Sequence, residues 1–376
     1  MRRDPLRYVP HVLVTSVGYV IFAYAALPDV LTARLGVGLP SFGLLMSAPL
    51  AAFVLVQRPA SRWVGRHTTT RVLFVGGIAH LLLGLSLDLS ASFPVVLALR
   101  GLWGATGGLL VTVGATHISR LTDGANSTRQ QGVYGGLLTF GGMLGFLLAP
   151  TLVERLGWLA LHAPGALLSV PALVVCGMHL SDRRTEPTGS TEPGGVVLHP
   201  VVLLASACYV AIIGSYITLS TFVTAYFADL GVVGRLNVVV LATATAGRVG
   251  GGETVWRFAL SDRRLVAGST AAAALGFAAM AVTGSPVALV VLPFLVMLAV
   301  SVPFGAVYNL AAGATDAEGT AIATIVAAGN VAALVLPPVT GTIREATGSY
   351  GGAFLVLGAL NAVAAAATYY TMVRYA

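Results

Sequence analysis

The chain has 376 residues, of which 56% are hydrophobic and only 9% charged, and its mean hydropathy is +0.87. That balance excludes an ordinary water-soluble domain, in which about a quarter of the residues are charged. The formal charge of +7 comes from 21 arginines, with no lysine, against 14 acidic residues. Because those arginines lie mainly in short loops between apolar runs, they point to an anionic leaflet and away from nucleic acid.

Spanning a bilayer takes about 20 mostly apolar residues per helix. Twelve such stretches follow one another: 9–30, 39–57, 71–89, 93–116, 131–153, 157–180, 200–228, 236–256, 265–283, 287–310, 321–343 and 351–373. The fold class is therefore an all-α integral membrane protein. The first stretch is too long for a signal h-region, so it is expected to be a retained helix with no cleaved targeting peptide.

Arginine is retained on the cytoplasmic side of short loops. With the N-terminus inside, fifteen arginines fall in cytoplasmic segments, and Arg34, Arg155, Arg235 and Arg344 on the other side. Both termini are thus expected in the cytoplasm. The Ala, Gly and Val content with no lysine suggests a prokaryotic plasma membrane.

Between the second and third stretches, RPASRWVGRHTTTR is a basic cytoplasmic loop, and WRFALSDRR occupies the same place in the second half. Arg62 and Arg66 of the first loop are candidates for binding helix C-terminal carbonyls or carboxylates, and so for gating. The alternative is that these arginines only set topology. In the third stretch, His80 is the one histidine near the middle of a span and is expected to be a packing residue.

The longest polar connection, SDRRTEPTGSTEPGGVVLH at 181–199, has the composition of a solvated linker. It divides the chain into a six-helix bundle at 1–180 and another at 200–376. Weak internal similarity supports a duplication: Gly142 precedes Pro150 by eight residues and Gly329 precedes Pro337 by eight. Duplicated membrane bundles suit alternating access, with substrate near the midplane.

Only two basic residues lie inside apolar stretches, Arg100 and Arg248. A lone guanidinium at such depth costs at least about 2.5–3.5 kcal/mol to insert, so each must face a partner or a polar cavity. No carboxylate lies at the depth of Arg248, which makes it a natural anion ligand with a bidentate fork. Tyr209, Tyr216 and Ser220 share one face of the seventh stretch. Tyr19, Tyr24, Thr139, Tyr308 and Asn309 are further candidates to line a cavity, or equally to join helices. Cys176 and Cys208 read as small buried residues, and no metal, cofactor or catalytic residue is expected.

The fourth-stretch string RGLWGATGG, the basic loop and the two sixes of helices resemble the major facilitator superfamily over the whole chain. The resemblance implies its fold, two pseudo-symmetric six-helix bundles, and a coupling role for Arg100. Gly132, Gly136, Gly141, Gly145 and Pro150 are similar to its Gly-rich fifth-helix motif, which assigns Gly141 and Gly145 to helix sliding. Aligned on Gly65 and Arg66, the loop carries Arg62 where the family has aspartate.

A second likeness is narrower. AGRVGG and GTAIATIVAAGNVAALVLPPVTGTIREATGSYGGAF resemble the eighth, eleventh and twelfth helices of nitrate/nitrite and related anion porters. This implies that Arg248 binds the anion while Asn330, with Gly329, lines its path. The partner arginine of that family's second helix is absent, Phe53 standing there. The sequence therefore reads as a transporter of a small-molecule or ion substrate, with the lipid bilayer as its other partner and a monomer allowed. The alternatives are an exporter of drugs or hydrophobic solutes and a receptor or scaffold without transport. No enzyme motif is present.

Overall fold

A computed structural model describes residues 5–37, 39–181, 193–232 and 236–374. Most of the expected linker, with Arg183 and Arg184, lies outside the described residues, as do Arg2, Arg3 and Arg235. The described chain is all helix and turn. Its membrane helices are α1 (Val9–Ala23), α2 (Leu39–Val64), α3 (Thr69–Ser86), α4 (Phe93–Leu121), α5 (Gly124–Leu156), α6 (Val170–Met178), α7 (Pro200–Asp229), α8 (Leu236–Phe258), α9 (Asp262–Val282), α10 (Pro286–Ser301), α11 (Glu318–Thr347) and α12 (Gly351–Arg374). Eleven of the twelve expected stretches are, among the described residues, long and apolar enough to cross a membrane. The exception is α8, whose apolarity is lowered by Arg248, Glu253 and Arg257.

Helix ends follow local chemistry. Thr68 caps α3 by accepting from the Arg71 N–H, and Ser261 caps α9 at the corresponding place in the second half by accepting from Arg264 N–H. The sixth stretch is broken into Trp158–Ala160, Ala163–Leu167 and α6, with Pro164 and Pro171 in the first turns of the last two pieces. The first stretch likewise ends as α-helix at Ala23, and Pro28 opens a separate helix, Pro28–Leu35.

The chain forms two compact units. Unit 1 comprises Met1–Thr122, Leu137–Thr191 and Asp316–Ala323; unit 2 comprises Asp123–Gly136, Glu192–Thr315 and Thr324–Ala376. The start of α5 thus packs with the second unit and the start of α11 with the first.

Small residues set the helix approach inside each unit, as packing without a hydrophobic drive requires. In unit 1, a Cβ on Gly141 would overlap the Thr15 carbonyl oxygen, and one on Gly145 would lie 3.0 Å from that of Tyr19, so α5 meets α1 backbone to backbone. Gly104 and Gly108 bring α4 equally close to Pro49 and Phe53 of α2. In unit 2, Gly251 of α8 faces the Val302 carbonyl, and Gly305 faces Thr128 and Gly132.

Candidate functional site

The two membrane arginines are both fully buried, yet their surroundings differ. Arg100 donates through Nη2 to the Ile21 carbonyl at 2.7 Å, through Nη1 to Val20 at 3.1 Å and through Nε to Leu45 at 3.4 Å. Each acceptor has a local cause. Val20 and Ile21 lie in the last turn of α1, where carbonyls run out of α-helical partners. Leu45 stands four residues before Pro49, which has no N–H to offer it. The rings of Tyr24 and Trp103 lie 5.0 and 5.6 Å from the guanidinium carbon. All three of its nitrogens are engaged, and Arg100 ties α1, α2 and α4 together.

Arg248 lies wholly within unit 2 and is incompletely satisfied. Its guanidinium carbon lies over two aromatic rings, Tyr216 at 4.5 Å and Phe304 at 4.4 Å from the centroids. Nη1 donates to the Gly135 carbonyl at 3.0 Å, while Nε and Nη2 are buried with no hydrogen-bond partner among the described residues. Cation–π contacts in a dry site are worth about 2 kcal/mol or more. Each unmade buried donor costs about 1–3 kcal/mol, and more when charged. One whole edge of the fork therefore lacks a partner.

The aromatic box around it depends on glycine. A side chain on Gly135 would collide with the Phe304 ring, and one on Gly329 with the ring of Tyr209. Phe304 stacks on Tyr308 at 4.6 Å, Tyr209 meets Tyr308 edge-on at 5.4 Å, and their hydroxyls are 3.0 Å apart.

The expected cavity residues thus separate. Arg248, Tyr216, Tyr209 and Tyr308 come together. Asn330 is buried one residue from Gly329, with its amide donating to Val326 of its own helix at 2.8 Å. Asn309 instead donates to Asp262, which also accepts from Thr128 at 2.9 Å. Tyr24 belongs to unit 1, where its hydroxyl donates to the Leu87 carbonyl at 3.0 Å and to Asp88 at 3.4 Å. His80 is a fully engaged packing residue: Ser16 donates to the Gly165 carbonyl and so accepts from Nε2, while Trp103 donates to Nδ1.

Arg62 and Arg66 are exposed and form no ion pair among the described residues. The ion pairs involve other arginines. In unit 1, Arg120 meets Glu318 at 2.7 Å and donates to Val64 O. In unit 2, Arg129 meets Glu253 at 2.7 Å and lies over Trp256. Sequence reasoning counted Arg120 and Arg129 only as topology signals. It also missed Phe304 and Gly135, and the buried pair of Asp88 with His162, 2.8 Å apart.

The Major Facilitator Superfamily family model matches residues 12–259. The chain belongs to that superfamily, and its fold is that of membrane transporters that work by alternating access. Three solved structures share this fold, each at 14% sequence identity. A variant of the E. coli fucose:proton symporter FucP aligns with TM-score 0.75 over 98% of this chain and 99% of its own. The proton:xylose symporter XylE gives 0.76 over 96% and 94%. The human organic anion transporter MFSD10 gives 0.76 over 97% and 100%. No curated protein matches the sequence significantly.

Proposed function

We propose that this transporter carries a small anion and that Arg248 is its ligand. One observation carries the reading: the Nε and Nη2 donors of a fully buried guanidinium have no hydrogen-bond partner among the described residues, although two aromatic rings lie against it and its third nitrogen is bonded. The free edge is the side-on fork that binds a carboxylate or oxoanion through two parallel hydrogen bonds. An anion there would satisfy both donors and neutralise the charge, lowering the cost of enclosing it. The likeness to nitrate/nitrite porters rests on sequence strings alone, whereas an organic anion transporter is among the structural neighbours. Organic carboxylates therefore join nitrate as test substrates.

Alternating access requires contacts that break in turn. The pairs Arg120–Glu318 and Arg129–Glu253 each join a helix of the first six to one of the last six, and we assign them the role of latches. Gly141 and Gly145 supply the close backbone contact of α5 with α1. Arg100 acts through the α1 and α2 carbonyls it holds.

The test is uptake into proteoliposomes of nitrate, small carboxylates, fucose and xylose, with and without a pH gradient. Saturable anion uptake abolished in Arg248→Ala is the expected result. Uptake of the sugars alone, unchanged in the variant, would replace the anion reading with sugar transport, and no uptake of any of these solutes would replace it with export of other solutes.

A further inference from the structure

A groove of about 390 Å³ runs down unit 1 between α3 and α4. Its floor is small because Gly76 and Ala79 stand where larger side chains would meet Leu109; a Cβ on Gly76 would already lie 3.0 Å from a Leu109 methyl. Val75, 67% exposed, forms its outer wall, and Trp63, 46% exposed, stands at its mouth. The mouth also holds His67 and Arg71. Arg71, exposed, donates its Nε to the Leu180 carbonyl at 3.0 Å, which holds the guanidinium at this end of the groove and leaves its two Nη groups for other partners. From Arg71 to Ala79 the groove descends eight residues of helix, about 12 Å at 1.5 Å per residue.

We propose that this groove binds one anionic phospholipid, its acyl chain between α3 and α4 and its phosphate at Arg71. The reasons are physical. The wall is almost wholly apolar and opens sideways from a membrane helix, where hydrocarbon chains are the solvent. The one fixed cation lies at the end that the arginine distribution assigns to the cytoplasm, where anionic lipids concentrate. Trp63 sits at the same level, where indole rings prefer the headgroup layer. Exposed Arg62, in the last turn of α2, and Arg66, in the turn that follows, add positive potential.

The test is native mass spectrometry of the full chain, incubated with equal amounts of phosphatidylglycerol and phosphatidylcholine of the same acyl length. The wild type should retain phosphatidylglycerol preferentially. Arg71→Gln should cut that preference about fivefold, the value of one basic side chain beside an anionic surface, with total bound lipid unchanged. Ala79→Phe should lower retention of both lipids by filling the groove. Arg58→Gln, outside the groove, should behave as wild type. Equal retention of the two lipids by the wild type would overturn the proposal. So would an undiminished preference in Arg71→Gln, or an equal fall in Arg58→Gln, which would reveal only diffuse attraction. The two arginine variants alter exposed side chains, so they decide the matter even if Ala79→Phe does not fold.

Discussion

Replacing each buried arginine by methionine should separate a structural cation from a functional one. In Arg100→Met, the Ile21 and Val20 carbonyls lose charged donors at 2.7 and 3.1 Å, and two rings lose their cation. At about 1–3 kcal/mol for each of these two stripped acceptors, plus about 1–2 for the ring contacts, the loss is about 3–8 kcal/mol. In Arg248→Met one carbonyl, Gly135, loses its donor and two rings lose their cation, but two unpaired donors vanish as well. Those contributions nearly offset, giving a net change within about 2 kcal/mol of zero. The assay is built into the chain. Its two cysteines, Cys176 in unit 1 and Cys208 in unit 2, are buried and free, so a thiol-reactive dye reports heat unfolding. Cys208→Ala and Cys176→Ala backgrounds would read each unit alone. Arg100→Met should unfold many degrees below the parent, and Arg248→Met close to it. Equal destabilisation of the two would refute the reasoning, because Arg248 would then be as fully bonded as Arg100.

Three further outcomes are expected. Gly141→Val should prevent stable folding because even its Cβ overlaps the Thr15 carbonyl, whereas Gly101→Ala, with nothing within 4 Å, should be tolerated and gain up to about 1 kcal/mol of helix propensity; dye-monitored melting of both checks this. A double-mutant cycle on Arg120→Gln and Glu318→Gln should give a coupling of about 1–3 kcal/mol, since this pair is largely buried. The same cycle on the exposed Arg344–Asp229 pair should give under about 1 kcal/mol. Tyr216→Leu removes one of the two rings against Arg248 and should weaken anion binding about tenfold, measured as the half-saturating concentration for uptake.

Membrane spans were legible because each is a continuous apolar run, and the least apolar, α8, is the one that carries the candidate ligand. Arg248 stood out as a charge without a carboxylate at its depth. The satisfaction of Arg100 was hidden, since its acceptors exist only because α1 ends at Ala23 and Pro49 leaves Leu45 unbonded. Gly135 and Phe304 come from segments 113 and 56 residues away from Arg248, and no local pattern joins them. Asn309 looked like a neighbour of Tyr308, but adjacent residues on a helix point about 100° apart, and its amide meets Asp262 instead. Tyr24 followed the same rule of tertiary context, ending on Leu87 and Asp88.

Equilibrium binding of a labelled small carboxylate or nitrate to purified protein, with Arg248→Lys and Arg248→Ala beside the wild type, tests the central claim most directly. Saturable binding in the wild type is expected, abolished in Arg248→Ala and at least tenfold weaker in Arg248→Lys, because an ammonium cannot offer the two-donor edge. Binding of the same strength in all three proteins would contradict the assignment of Arg248 as the anion ligand.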